Sequence, residues 1–300
     1  MDSQASKKND SKSYQVRLLF DSLEIKRILQ KQLAVSVILL EHPEGGTNKN
    51  TNFNNIGVET ISWRRLSKFS IAYRTPIALS LASEYQFSPA ALAQKIIVGL
   101  TETEFPEDEQ KYLDFTVKIK SSGWIEFYLS NFTLSQWLQY LVLKGIEEPA
   151  QQVILPTGTN LFPFQYTHAR CCSLLRLGER EGLIKLQGSE GDLPRWLEPQ
   201  PIPLFSHSLR LQHRAAHHLL DCLVNVLDAI SSPKPAHLLT KTMNLSQGLL
   251  DFSRQCRICG EITRHNRALA QARLSLIAAC QICLHWLLLE KWGVKAPLAM

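Results

Sequence analysis

The sequence predicts an α+β domain followed by an all-α helical bundle. Three hundred residues are enough for two ordinary domains, and an apolar content of 45% supplies a core for each. Apolar residues alternate over short runs in the first half, whereas in the second half they recur at helical spacing. A change of character at Pro149–Pro156 separates the halves. The expected divisions are a flexible tail at residues 1–13, an α+β domain at 14–145 and a helical domain at 146–300.

The first half opens with a predicted helix and a predicted strand. Apolar residues recur at roughly helical spacing at Val16, Leu19, Leu23, Ile28 and Leu33. The run SVILL at 36–40 is typical of a short strand. The Asn- and Gly-rich residues 42–57 favour turns and offer nothing to bury, so they predict a loop.

The rest of the first half alternates helices with strands. Helical periodicity returns in three segments, at 75–85, 88–100 and 133–142. Ser88 and Pro89 suit the capping position and the first turn of the second of these helices. Residues 115–130 alternate about a Ser-Ser-Gly break, which predicts two strands joined by a turn.

Helical patterns fill the second half, at Phe164–Glu181, Leu204–Ala229, Ala236–Cys259 and Thr263–Trp292. Gly293 predicts the end of the last helix. The most apolar run, residues 274–289, contains Ser275, Gln281 and His285. This run is short for a membrane span and fits a buried helix, so no membrane partner is expected.

The positive charge of the chain lies in the second half. Residues 1–150 hold 17 Lys and Arg against 17 Asp and Glu, whereas residues 151–300 hold 16 against 10. The second half also has 11 Arg to 5 Lys and eight of the nine His. An arginine-rich excess suits bidentate contact with phosphates. The seven cysteines are an odd number and no secretory signal precedes them, so we expect reduced thiols and a cytoplasmic protein.

Two Cys-x-x-Cys pairs have the spacing of a four-cysteine zinc site, Cys256 with Cys259 and Cys280 with Cys283. Zinc-binding pairs usually lie at a tight turn, and Gly260 follows the first pair. The second pair lies inside a long helical pattern among apolar residues, where cysteines act as small buried hydrophobes. We therefore expect no metal and no other cofactor, with zinc as the alternative.

A Cys–His nucleophile pair is a further alternative. His168 is at helical neighbour spacing from Cys171 and Cys172. Cysteine hydrolases usually draw base and nucleophile from separate elements, with a third group orienting the histidine. No Gly-rich phosphate loop is present, and the carboxylates at 107–109 are typical of a solvated surface run. No catalytic residue is therefore expected.

Basic residues of the helices indicate an anionic partner instead. Arg176 and Arg180 lie one turn apart, and Arg264 and Arg267 open the last helical pattern. Arginine near a helix N-terminus gains nothing from the dipole, which favours anions there. A bound phosphate would benefit both from the arginines and from the dipole.

The stretch FQYTHARCCSLLR at 164–176 resembles the helix that opens the anticodon-binding domain of arginyl-tRNA synthetases, a domain of the DALR type. The family pattern is close to V-Q-Y-A-H-A-R-x-x-S-I-L-R, and Thr167 stands where alanine is usual. The matching residues are Gln165, Tyr166, His168, Ala169, Arg170, Ser173, Leu175 and Arg176. Residues 271–300 are similar to the last helix and tail of the family, Q-A-R-L-x-L-x-x-A and G-I-x-A-P-x-x-M, and end in Met300. Together these motifs cover about half of the chain.

The first half resembles the appended N-terminal domain of the same family. Residues 75–97 are similar to a helix pair with the pattern N-x-A-L-x-L-A followed by P-x-x-x-A, with Pro76 at the expected Asn. Residues 121–130, SSGWIEFYLS, are similar to a strand with the pattern G-P-G-F-I-N-F-x-L-S. Since this domain contacts the tRNA elbow in the family, the resemblance implies elbow contacts by Gly123, Trp124 and Phe127.

The catalytic domain that separates these two parts in the family has no counterpart in this sequence. Only residues 143–161 connect the parts, and the H-x-G-H signature that holds ATP is absent. The resemblance therefore implies no arginine-tRNA ligase activity by this chain alone. The anticodon face also differs, because LLDFS at 249–253 and LLTK at 238–241 stand where the family has F-N-x-F-Y and L-A-N-Y. Phe252 is kept, but fewer aromatic platforms are available for unpaired bases.

The resemblance implies a tRNA-binding protein without a catalytic site, acting as an accessory factor in tRNA metabolism or translation, with no DNA partner. It assigns tRNA contacts in the helical domain to Gln165, Tyr166, His168, Arg170, Arg176, Phe252, Arg264, Arg267 and Met300. Two alternatives stay open. One is a protein-interaction or scaffold module that has lost RNA binding, and the other is the non-catalytic chain of a split arginine-tRNA ligase. Either would have a protein partner.

Overall fold

The computed structural model describes residues 13–19, 22–41, 63–66, 71–101, 112–146, 152, 154–155, 157–188, 193–231 and 234–300. The described chain is mixed α/β, with a small antiparallel sheet and a C-terminal helical region. It forms two compact units that divide between Ser130 and Asn131, with residues 23–25 belonging to the second. The predicted tail up to residue 12, the predicted loop at 42–57 and the acidic run at 107–109 lie outside the described residues.

A five-stranded antiparallel sheet, in the order β1-β4-β5-β3-β2, forms the centre of the first unit. Its strands are β1 (Ser13–Leu19), β2 (Arg64–Arg65), β3 (Ala72–Thr75), β4 (Tyr112–Ile119) and β5 (Ile125–Leu129). The predicted pair of strands about the Ser-Ser-Gly turn is confirmed as β4 and β5. Alternation along them buries one face, where the rings of Phe115 and Phe127 meet edge to face at 6.2 Å.

The helices of the first unit are α1 (Ile25–Glu41), α2 (Ile77–Leu81) and α3 (Pro89–Thr101). The predicted start of α3 is confirmed, because the Ser88 Oγ accepts the Ala91 N–H at 3.3 Å, as a capping residue does. Apolar residues at helical spacing pack α3 against β1 and β4. The exposed side of the sheet carries ion pairs, of which Arg17 with Asp114 at 3.1 Å links β1 to β4.

The first predicted helix is confirmed only in its second part, since α1 contains Ile28 and Leu33, and its beginning and the predicted strand after it are wrong. Residues 13–19 form a strand, in which Val16 and Leu18 are buried while Gln15 and Arg17 are exposed. This alternation fits pairing with β4 better than the helical spacing does. The run at 36–40 lies inside α1. Ser36 and Val37 are buried on the apolar stripe of this helix, and their burial favours the helical conformation. The β-branched residues there therefore follow the helix, not their local preference.

The second unit is mostly helical. Its helices are α4 (Asn131–Lys144), α5 (Phe162–Arg180), α6 (Arg214–Leu227), α7 (Pro235–Gln255), α8 (Glu261–His265) and α9 (Arg267–Trp286), followed by a π-helical turn at Leu287–Lys291. The predicted all-α character is wrong in one place, since β6 (Lys185–Gln187) and β7 (Arg195–Glu198) form an antiparallel pair. Trp196 explains this pair, because its ring is buried and its Nε1–H donates to the Pro199 carbonyl at 3.1 Å. Burial of this ring therefore stabilises β7 against the helices of the unit.

Helix α4 packs in the second unit, although the sequence placed it in the first. Its buried residues face α9 and β7. Trp137 is the largest of them, 1% exposed, and its Nε1–H donates to the Leu23 carbonyl at 3.2 Å. Burial of an indole with its N–H satisfied is a large stabilising contact, and it ties residues 23–25 and α4 to the helical unit.

Helix α9 is the centre of the second unit, and α4, α5, α6, α7 and α8 all pack on it. The predicted single helix from Thr263 is broken at Asn266, whose Oδ1 accepts the Leu269 N–H at 3.0 Å and caps α9. Gly293, with φ +63°, ends the helical run as predicted. The helix at 267–291 is long and apolar enough to cross a membrane, and 78% of its most apolar window is buried inside the unit.

Candidate nucleic-acid interface

Helix α5 carries five of the nine residues to which the resemblance assigns tRNA contacts in the helical domain. Pro163 lies in its first turn, and a stripe of apolar residues, among them Phe164, Cys171 and Leu175, is buried against α9. Gly178 allows the two helices to approach closely. A Cβ at that position would lie 2.6 Å from the Leu274 Cδ1. Burial of this stripe fixes which residues of α5 face the interior and which face solvent.

One edge of α5 holds the C-terminal segment of the chain. The Gln165 Nε2 donates to the Lys295 carbonyl at 2.9 Å, and the His168 Nδ1 lies 2.8 Å from the Pro297 carbonyl. The Arg176 Nη1 donates to the Leu298 carbonyl at 3.1 Å. We call these three contacts the tail clamp. The residues that resemble the family motif at these positions therefore meet the backbone of this chain itself.

His168 is the most deeply buried member of the tail clamp, 0% exposed. Since a carbonyl oxygen only accepts, the ring carries its proton on Nδ1, which leaves Nε2 as an acceptor. Nε2 lies 3.4 Å from the Gln281 Nε2, which can donate to it. Burial lowers the pKa of His168 to about 4, partly offset by the bond to the Pro297 carbonyl, with the neighbouring His285 also lowering it. The ring is therefore neutral near pH 7.

The geometry does not support thiol chemistry at α5. The Cys172 Sγ lies 3.9 Å from the His168 Nε2, so the pair suggested by the sequence does come together. Burial raises the pKa of Cys172 to about 12, and burial also raises the pKa of Cys171. A neutral thiol beside a histidine of low pKa supplies neither a thiolate nor an effective base near pH 7. These groups pack the interior.

The face of α5 opposite its buried apolar stripe carries a row of exposed residues. Phe162 and Tyr166 are 57% and 42% exposed, and their rings stack with centroids 6.3 Å apart and planes inclined by 20°. Arg170 is exposed one turn further along. Steps of four residues place all three on one side of a helix. We call this set the aromatic stripe. The sequence had indicated Tyr166 and Arg170 but not Phe162, which begins the helix just before the family motif.

Two of the three other predicted aromatic contacts are buried. Phe252 in α7 and Phe127 in β5 are both 0% exposed and belong to the cores of their units. Gly123, with φ +86°, forms the turn between β4 and β5, where its N–H donates to the Lys120 carbonyl at 2.8 Å. Trp124 is partly exposed, and the Arg74 guanidinium lies over its ring at 5.4 Å from the centroid. Trp124 is thus the predicted elbow residue whose ring reaches the surface of the first unit.

The remaining predicted residues lie at the surface of the helical unit. Arg264 is exposed in α8. Arg267 is exposed at the start of α9 and donates to the Gly182 carbonyl. Met300 is 63% exposed. These three residues lie on α8, on α9 and at the last residue of the chain, whereas the aromatic stripe lies on α5, so each is treated as a separate surface group.

The cysteines of the proposed zinc alternative are divided between two environments. Cys280 and Cys283 are fully buried within α9, where burial raises the pKa of both thiols. Cys256 lies at the end of α7 with its Sγ 3.2 Å from the His213 Nδ1, whereas Cys259 is partly exposed. In the part of the chain that the structure describes, no group of three or more His, Cys, Asp or Glu side chains is placed to hold a metal ion.

Sequence reasoning missed a basic cleft in the helical unit, formed around Arg210, His213 and Arg273. These residues are far apart in sequence and match no motif. A count of arginines indicated a basic half but could not show which of them meet. A search of family models, curated proteins and solved structures found no match to the chain.

Proposed function

We propose that this protein binds tRNA without catalysing aminoacylation, and that its helical unit is related to the anticodon-binding domain of arginyl-tRNA synthetases. The observation that carries the proposal is the aromatic stripe, in which the exposed rings of Phe162 and Tyr166 stack and Arg170 is exposed one helical turn further along. Unpaired bases stack on exposed aromatic side chains, and arginine contacts the phosphates between them. The basic excess of residues 151–300 supplies the attraction that such binding needs.

The tail clamp narrows the proposed mode of binding. Gln165, His168 and Arg176 already contact the chain's own backbone, and Phe252 is buried, so these residues support the fold of the interface. Binding then rests on the stripe and on surface arginines such as Arg264. Contacts of this kind recognise exposed bases and backbone more than a particular anticodon. An accessory role in tRNA metabolism or translation fits such recognition.

The test is a titration of the full chain with total tRNA at several salt concentrations. We expect binding at low salt. The logarithm of the binding constant should fall linearly as the logarithm of the salt concentration rises. The variant Tyr166→Ala should weaken binding by about 5- to 100-fold, because base stacking on one aromatic ring contributes about 1–3 kcal/mol. Arg170→Ala should reduce the salt slope by about 1. The matched control is Phe132→Ala, an equally exposed aromatic residue of α4 that pairs with Phe205.

Two results would overturn this proposal. One is the absence of tRNA binding at low salt, and the other is equal weakening by the stripe variants and the control. A blunt-ended double-stranded RNA, which has no unpaired bases, serves as competitor, and tRNA should bind more tightly because its loops offer free bases to the stripe.

A protein-interaction role is the second candidate, and burial of Phe252 with the use of Gln165 in the tail clamp favours it. Exposed aromatic residues are also typical of protein interfaces. Purification of the full chain from cells followed by identification of bound protein and RNA separates the two roles. The split-enzyme alternative would be selected instead if a catalytic chain co-purifies, and if mixing the two separated chains restores arginine-tRNA ligase activity.

A further inference from the structure

The helical unit contains a cleft of about 290 Å³ that the aromatic stripe does not use. The loop before α6, the start of α6 and the start of α9 form its walls. The loop is folded back on itself by a bridge between Phe205 and Leu209. The volume is at the lower end of the range for small-molecule sites. We call it the Arg210 cleft.

The chemistry of the Arg210 cleft is basic and polar. Arg210 and Arg273 line it, together with Ser206, Ser208, Gln212, His213 and Asn266. None of the described lining residues carries a carboxylate. A concave site with two guanidinium groups and no acidic counterpart attracts anions.

The two arginines differ in what they already bind. The Arg273 Nη1 donates to the Arg257 carbonyl at 2.6 Å, which fixes its guanidinium within the wall. The Arg210 Nε is buried and has no hydrogen-bond partner among the residues that the structure describes. A buried donor without a partner is unfavourable unless a ligand or water satisfies it. Because this Nε is closed to solvent, an oxyanion in the cleft would supply the acceptor that it lacks once the Arg210 side chain, which lines the cleft, rotates towards it.

Two helix N-termini also meet the Arg210 cleft. His213 caps α6, with its Nδ1 accepting the Ala215 N–H at 3.2 Å, and Asn266 caps α9. Because the His213 Nδ1 accepts, the other ring nitrogen, Nε2, is the donor of this side chain. The positive ends of two helices of 14 and 20 residues therefore lie at one site. Anion binding follows from the cleft, the unpaired Nε and both dipoles together.

We propose that the Arg210 cleft binds a phosphate group. Phosphate presents several oxygens to a guanidinium and to hydroxyl and ring N–H donors at once, which a planar carboxylate does less fully. The phosphate can belong to a polynucleotide or to a free small phosphate compound. The site stands independently of the aromatic stripe and extends the chain's recognition beyond base stacking.

The test is calorimetric titration of the full chain with inorganic phosphate and with adenosine 5′-monophosphate, with adenosine as the uncharged comparison. We expect inorganic phosphate to bind, and adenosine 5′-monophosphate to bind more tightly than adenosine, whose base can meet only the aromatic stripe. Arg210→Gln should weaken phosphate binding at least tenfold. The control Arg254→Gln should leave it unchanged, because Arg254 is an exposed arginine of α7 that pairs with Asp251 at 3.2 Å outside the cleft.

A second variant keeps the test decisive if Arg210→Gln does not fold. Gln212 is exposed at the cleft, so Gln212→Glu should fold normally and repel phosphate. Phosphate affinities that are equal in the wild type and both cleft variants would overturn the proposal, as would no binding of phosphate at tens of millimolar.

Competition with tRNA identifies the source of the phosphate. Displacement of tRNA by adenosine 5′-monophosphate from the wild type but not from Arg210→Gln supports a polynucleotide phosphate in the cleft. Binding of the nucleotide without displacement supports a free phosphate compound. If tRNA fails to bind while phosphate still does, the proposed function is refuted and the phosphate site is retained.

Discussion

Burial of His168 predicts that acid destabilises the helical unit. The ordinary pKa of 6.5 applies to the unfolded chain, whereas the folded pKa is about 4 because the ring is buried. As pH falls below 6.5 the unfolded state takes up the proton first, so the free energy of unfolding decreases down to about pH 4. The full loss is about 3 kcal/mol, since one pKa unit corresponds to about 1.4 kcal/mol. Above pH 6.5 both states are neutral and this contribution to the pH dependence vanishes.

The variant His168→Asn isolates this contribution. The Asn amide can still donate to the Pro297 carbonyl but does not titrate. Urea unfolding at pH 7.5 and pH 4.5, followed by circular dichroism, gives the loss of stability for each protein. Burial also lowers the pKa of His285 and His217, so both proteins should lose some stability, but the wild type should lose about 2.5 kcal/mol more over this pH range. An equal loss in both proteins would refute the reasoning.

Three further predictions concern a turn, a thiol and the tail clamp. Gly123→Ala should destabilise the chain by about 1–3 kcal/mol more than Gly145→Ala, measured by urea unfolding. Both glycines have positive φ, but only a Cβ at Gly123 would meet the Pro89 Cβ, at 2.5 Å, and equal costs would contradict the steric argument. Brief alkylation of the native protein followed by mass spectrometry should modify Cys259 first, because the other six thiols are buried, and earlier labelling of any of those six would be inconsistent with the fold. Deletion of residues 296–300 removes two of the three tail-clamp acceptors and should lower stability by about 3 kcal/mol, with an unchanged melting temperature as the contrary result.

Helices of the second half could be predicted because their apolar residues keep one period over three or more turns. Helix α5 is the clearest case, since a buried stripe alternates with polar residues along its whole length. The start of the chain could not be read in this way. Val16 belongs equally to a helical and to an alternating pattern, and pairing with β4, about a hundred residues later, decides between them.

The sequence identified residues of the candidate interface but not their roles. Gln165 and His168 were recognised as motif residues, yet their acceptors lie some 130 residues further along and no local pattern reveals them. Phe252 is an aromatic residue of the kind on which nucleic-acid bases stack, and only the packing of α7 shows that its side chain is buried. The Arg210 cleft depends on a loop and two helix starts that meet only after folding.

The close packing of Gly178 on Leu274 also has a consequence for biosynthesis. The two positions are 96 residues apart, so α5 has to wait for α9 to be synthesised before its apolar stripe is covered. At about 5–20 residues per second, that interval is roughly 5–20 s on the ribosome. During this time the nascent chain exposes Phe164, Cys171 and Leu175 to its surroundings. We expect chaperones to engage this segment, and slow translation between the two helices to increase aggregation.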